Sequence, residues 1–178
     1  NNFRKSIILK PSIVYSVDDK FTTNFMSLLS LLPFMPLYYS GKTKFIPIHV
    51  IDLVNIIINV IEIESEGITI ECVGPETLSF KELLRKLLRS INKKRLLIPL
   101  PLPIAKFSAK LLQLFPKPIL TEDQLRTLKY DNILSGKYKS NFDIGIKAEK
   151  FFENEINKYS FNWRSGGQFS KETKKKTL

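Results

Sequence analysis

A few side chains in this sequence have the type and spacing to do chemistry. Tyr38-Tyr39-Ser40-Gly41-Lys42 sets a tyrosine four residues before a lysine. On a helix that spacing puts both on one face, where the ammonium lowers the phenol pKa and makes a proton-transfer pair. Here Pro36 precedes the pair and Gly41 lies inside it. That is turn chemistry, so the spacing reads as coincidence. Asp18-Asp19 could bind a cation or a ribose hydroxyl. Ahead of an apolar run with helical period, it reads instead as a helix cap. His49 is the single histidine, too few for a metal site or a triad, and reads as a structural residue beside a helix start. Cys72, the single cysteine, sits in a strand-like run and reads as a small buried hydrophobe. One cysteine excludes an internal disulfide and suits a reducing compartment. Lys10, at the end of an apolar run, either meets an anionic ligand or stands as an exposed strand-end lysine.

None of the seven glycines is arranged as G-x-G-x-x-G or as a P-loop. The chain therefore has no pyrophosphate cradle of its own. No catalytic residue and no metal ligand is singled out, and whether the chain serves an enzyme stays open, leaning to a non-catalytic role.

The elements that must position these residues follow from the apolar pattern. Ser6 to Leu9 is continuous and β-branched, as in a strand buried on both faces of a parallel sheet, and Pro11 ends it. Ligands of open parallel sheets bind beyond the carboxyl ends of the strands, so residues 11–15 lie where a ligand would be. Phe21, Phe25, Leu28, Leu29 and Leu32 have helical spacing, stopped by Pro33. Residues 44–48 form a short strand, and Asp52 can cap a helix bearing Leu53, Ile56, Ile57, Val60 and Ile61. Residues 68–73 are the next strand. Ser79-x-x-Glu82 is a capping box opening a helix with Leu83, Leu84, Leu87, Leu88 and Ile91 inward. Residues 97–103 read as an extended prolyl loop and 104–115 as a helix. Thr121-x-x-Gln124 reads as a second capping box, with Asp131-Asn132 ending its helix. Residues 144–159 give a last helix, with Phe151, Phe152 and Ile156 inward.

With 178 residues, 43% of them hydrophobic and 25% charged, the chain can build one globular core. The net charge of +11 comes partly from a lysine-rich tail after Trp163 and partly from solvated helix faces. The apolar stretches 25–39 and 45–63 are too short or too polar to span a bilayer. The chain begins Asn1-Asn2-Phe3 without a methionine and enters a strand almost at once. It is therefore expected to be a fragment. The order of strands and helices implies an α/β fold, its closing half with a smaller, mostly helical lobe. The expected divisions are closing strands and helices over 1–75, a helical lobe over 76–160 and a flexible basic tail over 161–178.

Three segments carry a family resemblance. Residues 8–16, Ile-Leu-Lys-Pro-Ser-Ile-Val-Tyr-Ser, resemble the L-R-P-S-x-V-Y-G strand end of the extended (atypical) short-chain dehydrogenases. Residues 45–53 are similar to their F-x-P-V-x-V-x-D-V segment, and residues 73–83 resemble G-G-P-E-x-x-T-F-x-E-L. A fourth segment, 120–136, narrows the likeness. Its pattern Leu-Thr-x-Asp-Gln-Leu-x-x-Leu-Lys-x-Asp-Asn, ending in Ser-Gly, resembles the NAD(P)-binding accessory subunit of respiratory complex I and its bacterial homologues. The sequence departs at Lys10, where the pattern has Arg, and at Ser16, where it has Gly. The first weakens a bidentate anion contact, and the second removes the glycine of a tight turn.

The resemblance implies the C-terminal half of a Rossmann-type NAD(P)-binding fold, in a protein that binds NADP or NAD mainly through a preceding N-terminal half, with Pro11, Ser12 and Ile13 passing the nicotinamide side. It implies a non-catalytic accessory or assembly role beside the subunits of complex I. The location implied is the cytoplasmic face of a bacterial inner membrane, or the matrix side of the mitochondrial one. A peripheral contact with anionic membrane is expected, and no nucleic acid. The alternative is an NAD(P)-dependent sugar-nucleotide epimerase, dehydratase or reductase, with a link to quinone metabolism.

Overall fold

A computed structural model describes residues 6–62, 67–100 and 128–169. In chain order its elements are β1 (Ile7–Pro11), β2 (Val14–Tyr15), α1 (Lys20–Leu31), β3 (Phe34–Leu37), a 3-10 turn (Tyr38–Gly41), β4 (Lys44–Phe45), β5 (Ile48–His49), α2 (Val50–Ile61), β6 (Ile68–Cys72), β7 (Leu78–Ser79), α3 (Phe80–Ser90), β8 (Leu96–Pro99), β9 (Lys139–Ser140), α4 (Phe152–Asn157) and a second 3-10 turn (Ser160–Trp163). The helix expected over 104–115 and the capping box at Thr121 and Gln124 lie outside the described residues, as do residues 170–178 of the basic tail.

The apolar run does become a strand, and Pro11 is its last residue. β1 pairs in parallel with β6, and β6 pairs in parallel with β9, giving the order β1-β6-β9. β2 pairs with β5 and β3 with β8, both in parallel, while β4 and β7 are antiparallel. Parallel pairs need a crossover, and the helices supply it. α2 lies on the sheet, where Ile56 and Val60 meet Ile70 and Cys72. Its other side leaves Ile51, Val54, Ile58 and Ile61 exposed.

The second core gathers α1, α3 and α4 with Tyr15, Leu37 and Trp163. α3 buries Phe80, Leu83, Leu84, Leu87 and Leu88, one stripe at helical spacing. Emptying the Leu84 site by alanine would cost about 2–5 kcal/mol.

Helix ends follow local rules where a side chain is free to obey them. Asp19 caps α1 by accepting the Thr22 N–H. Ser79 and Glu82 form the complete capping box on α3. α2 differs from expectation: its cap is His49, whose Nδ1 accepts the Ile51 N–H at 3.3 Å. Asp52 is drawn away to another segment. The last turn of α1 has no basic residue of its own. Arg95 supplies one from beyond α3, donating to the carbonyls of Leu29 and Ser30.

The C-terminal segment differs most from the sequence expectation. Only Phe152–Asn157 of the expected helix 144–159 is helical. Before it the chain turns as far as Gly145, and the N–H groups of Glu149 and Lys150 are taken by the Asp52 carboxylate rather than by a helical ladder. Phe151 is exposed, whereas Phe152 and Ile156 are buried as expected. The prolyl stretch also differs: Leu96–Pro99 is a strand, paired with β3 so that Pro99 stands opposite Leu37. Both paired strands carry proline, which suits a short, two-stranded ladder.

Candidate functional site

The carboxyl ends of β1 and β6 are the place to look for a ligand surface. Pro11 is exposed, Ser12 is buried and Ile13 is half-buried. The Ser12 N–H donates to the Cys72 carbonyl at 3.0 Å. Its hydroxyl donates to the Asn132 carbonyl at 3.3 Å and accepts the Ile46 N–H at 3.4 Å. The Ile13 carbonyl accepts the Ile48 N–H. These hydrogen-bonding groups are turned inward. What the three residues offer outward is the proline ring and part of an isoleucine, an apolar wall rather than a polar cradle.

Asn141 holds this region together, and sequence reasoning missed it. It is fully buried. Its Oδ1 accepts the Val73 N–H at 2.8 Å, and its Nδ2 donates to the Ile146 carbonyl at 3.1 Å. Glu71, also buried, uses its Oε2 to accept the Ser135 N–H at 2.9 Å. The loop after Leu128 thus lies across both strand ends. Sequence pattern marks neither residue as joining these strands, because Asn141 reaches Val73 and Glu71 reaches Ser135 across more than 60 positions.

Gly74 lies two residues past β6, against the segment that carries Pro47. A Cβ there would collide with the Pro47 carbonyl, so two backbones approach where only glycine fits. That contact joins two of the family-like segments, 45–53 and 73–83.

The expected site residues elsewhere take structural positions. Tyr38 is buried, Tyr39 and Ser40 have left-handed backbone, and Lys42 is exposed. They share no helical face, so the Tyr-x-x-x-Lys spacing does not make an acid/base pair. Lys10 lies with its Nζ 4.3 Å above the Tyr138 ring, a cation–π contact at an exposed strand end. Cys72 is fully buried, and burial pushes its thiol up to about 11, so it is no nucleophile at neutral pH.

A cluster of titratable groups surrounds His49. Its ring meets Tyr15 edge-on at 5.1 Å, and its Nε2 lies 4.0 Å from Glu155 Oε2. Tyr15 is fully buried and donates to the Lys150 carbonyl at 2.9 Å. Burial raises the Tyr15 pKa and lowers that of His49, in the latter against the pull of Glu155. Tyr15 is therefore a committed donor and His49 a neutral cap. The cluster clasps the C-terminal segment through Lys150 and Glu155. Among the described residues, no group of His, Cys, Asp and Glu could hold a metal ion.

Comparisons with known proteins bear on the family. The chain is 25% identical over 178 residues to NADH dehydrogenase (ubiquinone) 1 alpha subcomplex subunit 9, a mitochondrial protein of Arabidopsis thaliana, covering 94% of this chain and 44% of that protein. The relationship expected from the motifs holds. The chain spans less than half the length of this curated relative. No family model matches the chain. Among solved structures, UDP-glucose 4-epimerase of Thermus thermophilus in complex with NAD superposes with a TM-score of 0.58 at 15% identity, over 89% of this chain and 46% of that one. The dTDP-4-dehydrorhamnose reductase of Bacillus anthracis in complex with NADP gives 0.57 at 17% identity, over 87% and 47%. The fold is the Rossmann-type α/β fold of such epimerases and reductases, with parallel sheets as expected.

Proposed function

We propose that this chain is the C-terminal portion of an NAD(P)-binding accessory protein of respiratory complex I, with a structural or assembly role. The observation that carries this reading is the 25% identity to the NADH dehydrogenase subunit along 94% of the chain. The use of the motif residues agrees with it. Asp52 and Glu76, the acids of two family-like segments, both bind backbone N–H groups of the C-terminal segment. They are spent on holding the fold.

In this reading Pro11, Ser12 and Ile13 line the nicotinamide side of NADP or NAD. The fit is partial: Pro11 and Ile13 supply an apolar wall, while Ser12 keeps the wall in place. The phosphate-binding glycines belong to sequence preceding this chain. The bound nucleotide would supply rigidity to the fold or, in an active protein, hydride chemistry. Residues 1–75 serve as the closing part of the nucleotide-binding unit, 76–160 as the helical lobe and 161–178 as a basic tail. The protein works at the surface of the membrane that holds complex I, touching anionic lipid peripherally. No helix among the described residues is long and apolar enough to cross that membrane.

The test is affinity purification of the full-length protein from its own cells. Recovery of complex I subunits supports the reading. A protein recovered without them that turns over a sugar nucleotide overturns it. The second reading, an NAD(P)-dependent sugar-nucleotide epimerase, dehydratase or reductase, rests on the shared fold with those enzymes. It requires a helical Tyr-x-x-x-Lys pair upstream.

A further inference from the structure

Every residue from 129 to 139 is exposed, yet the segment is fixed to the fold. The Lys44 N–H donates to Asp131 Oδ1 and the Asn132 N–H donates to the Lys44 carbonyl, both at 2.8 Å. Ser12 and Glu71 hold Asn132 and Ser135. This is a pinned platform whose side chains point away from any core.

What it presents to solvent is a mixture of aromatic, aliphatic and basic side chains. Tyr130 is 66% exposed, and Ile133, Leu134 and Tyr138 are each at least 40% exposed. Lys129, Lys137 and Lys139 alternate with them. Lys129 Nζ lies 5.3 Å from the Tyr130 ring centre, and Lys10 Nζ lies over Tyr138. The one acid of the segment, Asp131, is already hydrogen-bonded to Lys44. A merely solvated loop has no use for two tyrosines and two large aliphatics. A nucleic-acid strand would use the tyrosines and lysines but leave Ile133 and Leu134 without a role. Tyrosine and lysine around short aliphatic insertions suit the boundary between water and a bilayer.

We infer that residues 129–139 dock the protein on an anionic bilayer, with Ile133 and Leu134 entering the headgroup layer and Lys129, Lys137 and Lys139 meeting lipid phosphates. The inference rests on the peripheral membrane contact proposed above and names its surface. Each lysine near an anionic leaflet strengthens attachment roughly fivefold, so three supply on the order of 100-fold.

Vesicle flotation of the full-length protein tests it, with phosphatidylcholine vesicles against an equimolar mixture of phosphatidylcholine and phosphatidylglycerol. The expected result is flotation with the mixed vesicles alone. Lys129→Glu/Lys137→Glu/Lys139→Glu should weaken it roughly 100-fold or more. Ile133→Ser/Leu134→Ser should weaken it about tenfold at the same salt. Arg85→Glu, on the exposed side of α3, should leave it unchanged. Flotation that survives both sets of substitutions leaves the membrane contact standing and overturns the loop as its site. Failure of the unaltered protein to float overturns both, without touching the recovery of complex I subunits. Binding of a single-stranded oligonucleotide that needs the three lysines, with no flotation, overturns the lipid in favour of nucleic acid.

Discussion

The Asp52 carboxylate lies 2.9 Å from the Lys150 amide nitrogen and accepts its hydrogen bond across 98 residues of sequence. The same oxygen accepts the Glu149 N–H at 3.1 Å. Asp52 is buried at the start of α2, where the helix dipole also favours its charge. Replacing it by alanine leaves two N–H groups without an acceptor. Asp52→Ala should destabilise the protein by about 3 kcal/mol, and Asp52→Asn, which keeps an acceptor, by about 1 kcal/mol. Urea denaturation midpoints check the order.

The ion pair of Arg89 with Glu153 should behave differently. Its geometry is good, at 2.7 and 2.8 Å, but the Arg89 side chain is 60% exposed. Solvent screening limits such a pair, and Arg89→Ala should cost no more than ~0.5 kcal/mol. The same denaturation series measures it, and a loss as large as that of Asp52→Ala would contradict this view of the pair.

Gly74→Ala pushes a methyl group into the Pro47 carbonyl. Neither backbone can yield easily, because Gly74 N–H and Ile46 carbonyl are themselves paired. The expected cost is about 3 kcal/mol, at the upper end for overpacking. Thermal melting of the variant should show a clear drop, and a melting temperature equal to that of the unaltered protein would refute the close approach.

His49 makes stability depend on pH. Burial holds its pKa below the ordinary imidazole value of 6.5. The unfolded chain therefore binds more protons than the folded one as pH falls from 6.5 toward the folded value. The contribution of His49 is fully present above pH 6.5 and is lost as the pH falls through that window. Protonation of Nδ1 would also displace the Ile51 N–H. His49→Asn keeps a cap and should flatten the melting temperature between pH 7 and about 5.5. An unchanged slope in the variant would assign it to another group.

The 178 residues alone should bind NADPH no better than weakly, since they contain no glycine-rich phosphate loop. Isothermal titration of the isolated chain checks this, and micromolar binding would show a second phosphate cradle in this half.

Local rules were legible where the partners are near in sequence. Pro11 ends β1, Asp19 caps α1, and Ser79 with Glu82 opens α3, each as read from neighbouring residues. Asp52 has the sequence position of a cap for α2 but a better use far along the chain, and His49 takes its place. The helix expected over 144–159 was too long for the same reason: Asp52 and Glu76 take the N–H groups of Glu149, Lys150 and Phe152. β8 was hidden by its prolines, which a short pairing with β3 tolerates. Of the strand-end region, Pro11 to Ile13 could be placed from the run that precedes them. Asn141 and Glu71 could not, since the contacts to Val73 and Ser135 that give them their role arise only on tertiary folding.

The hydroxyl of Ser30 donates to the carbonyl of Trp163, 133 residues later, and Tyr15 reaches Lys150 across 135. For a chain made from its N-terminus at roughly 5–20 residues per second, such partners emerge on the order of 10 s apart. Until then Tyr15 and the side of α1 that meets Trp163 leave the ribosome uncovered, while α3 covers the rest of α1 sooner. The nascent protein is thus expected to need a holding chaperone, and a truncation before Lys150 should stay bound to one.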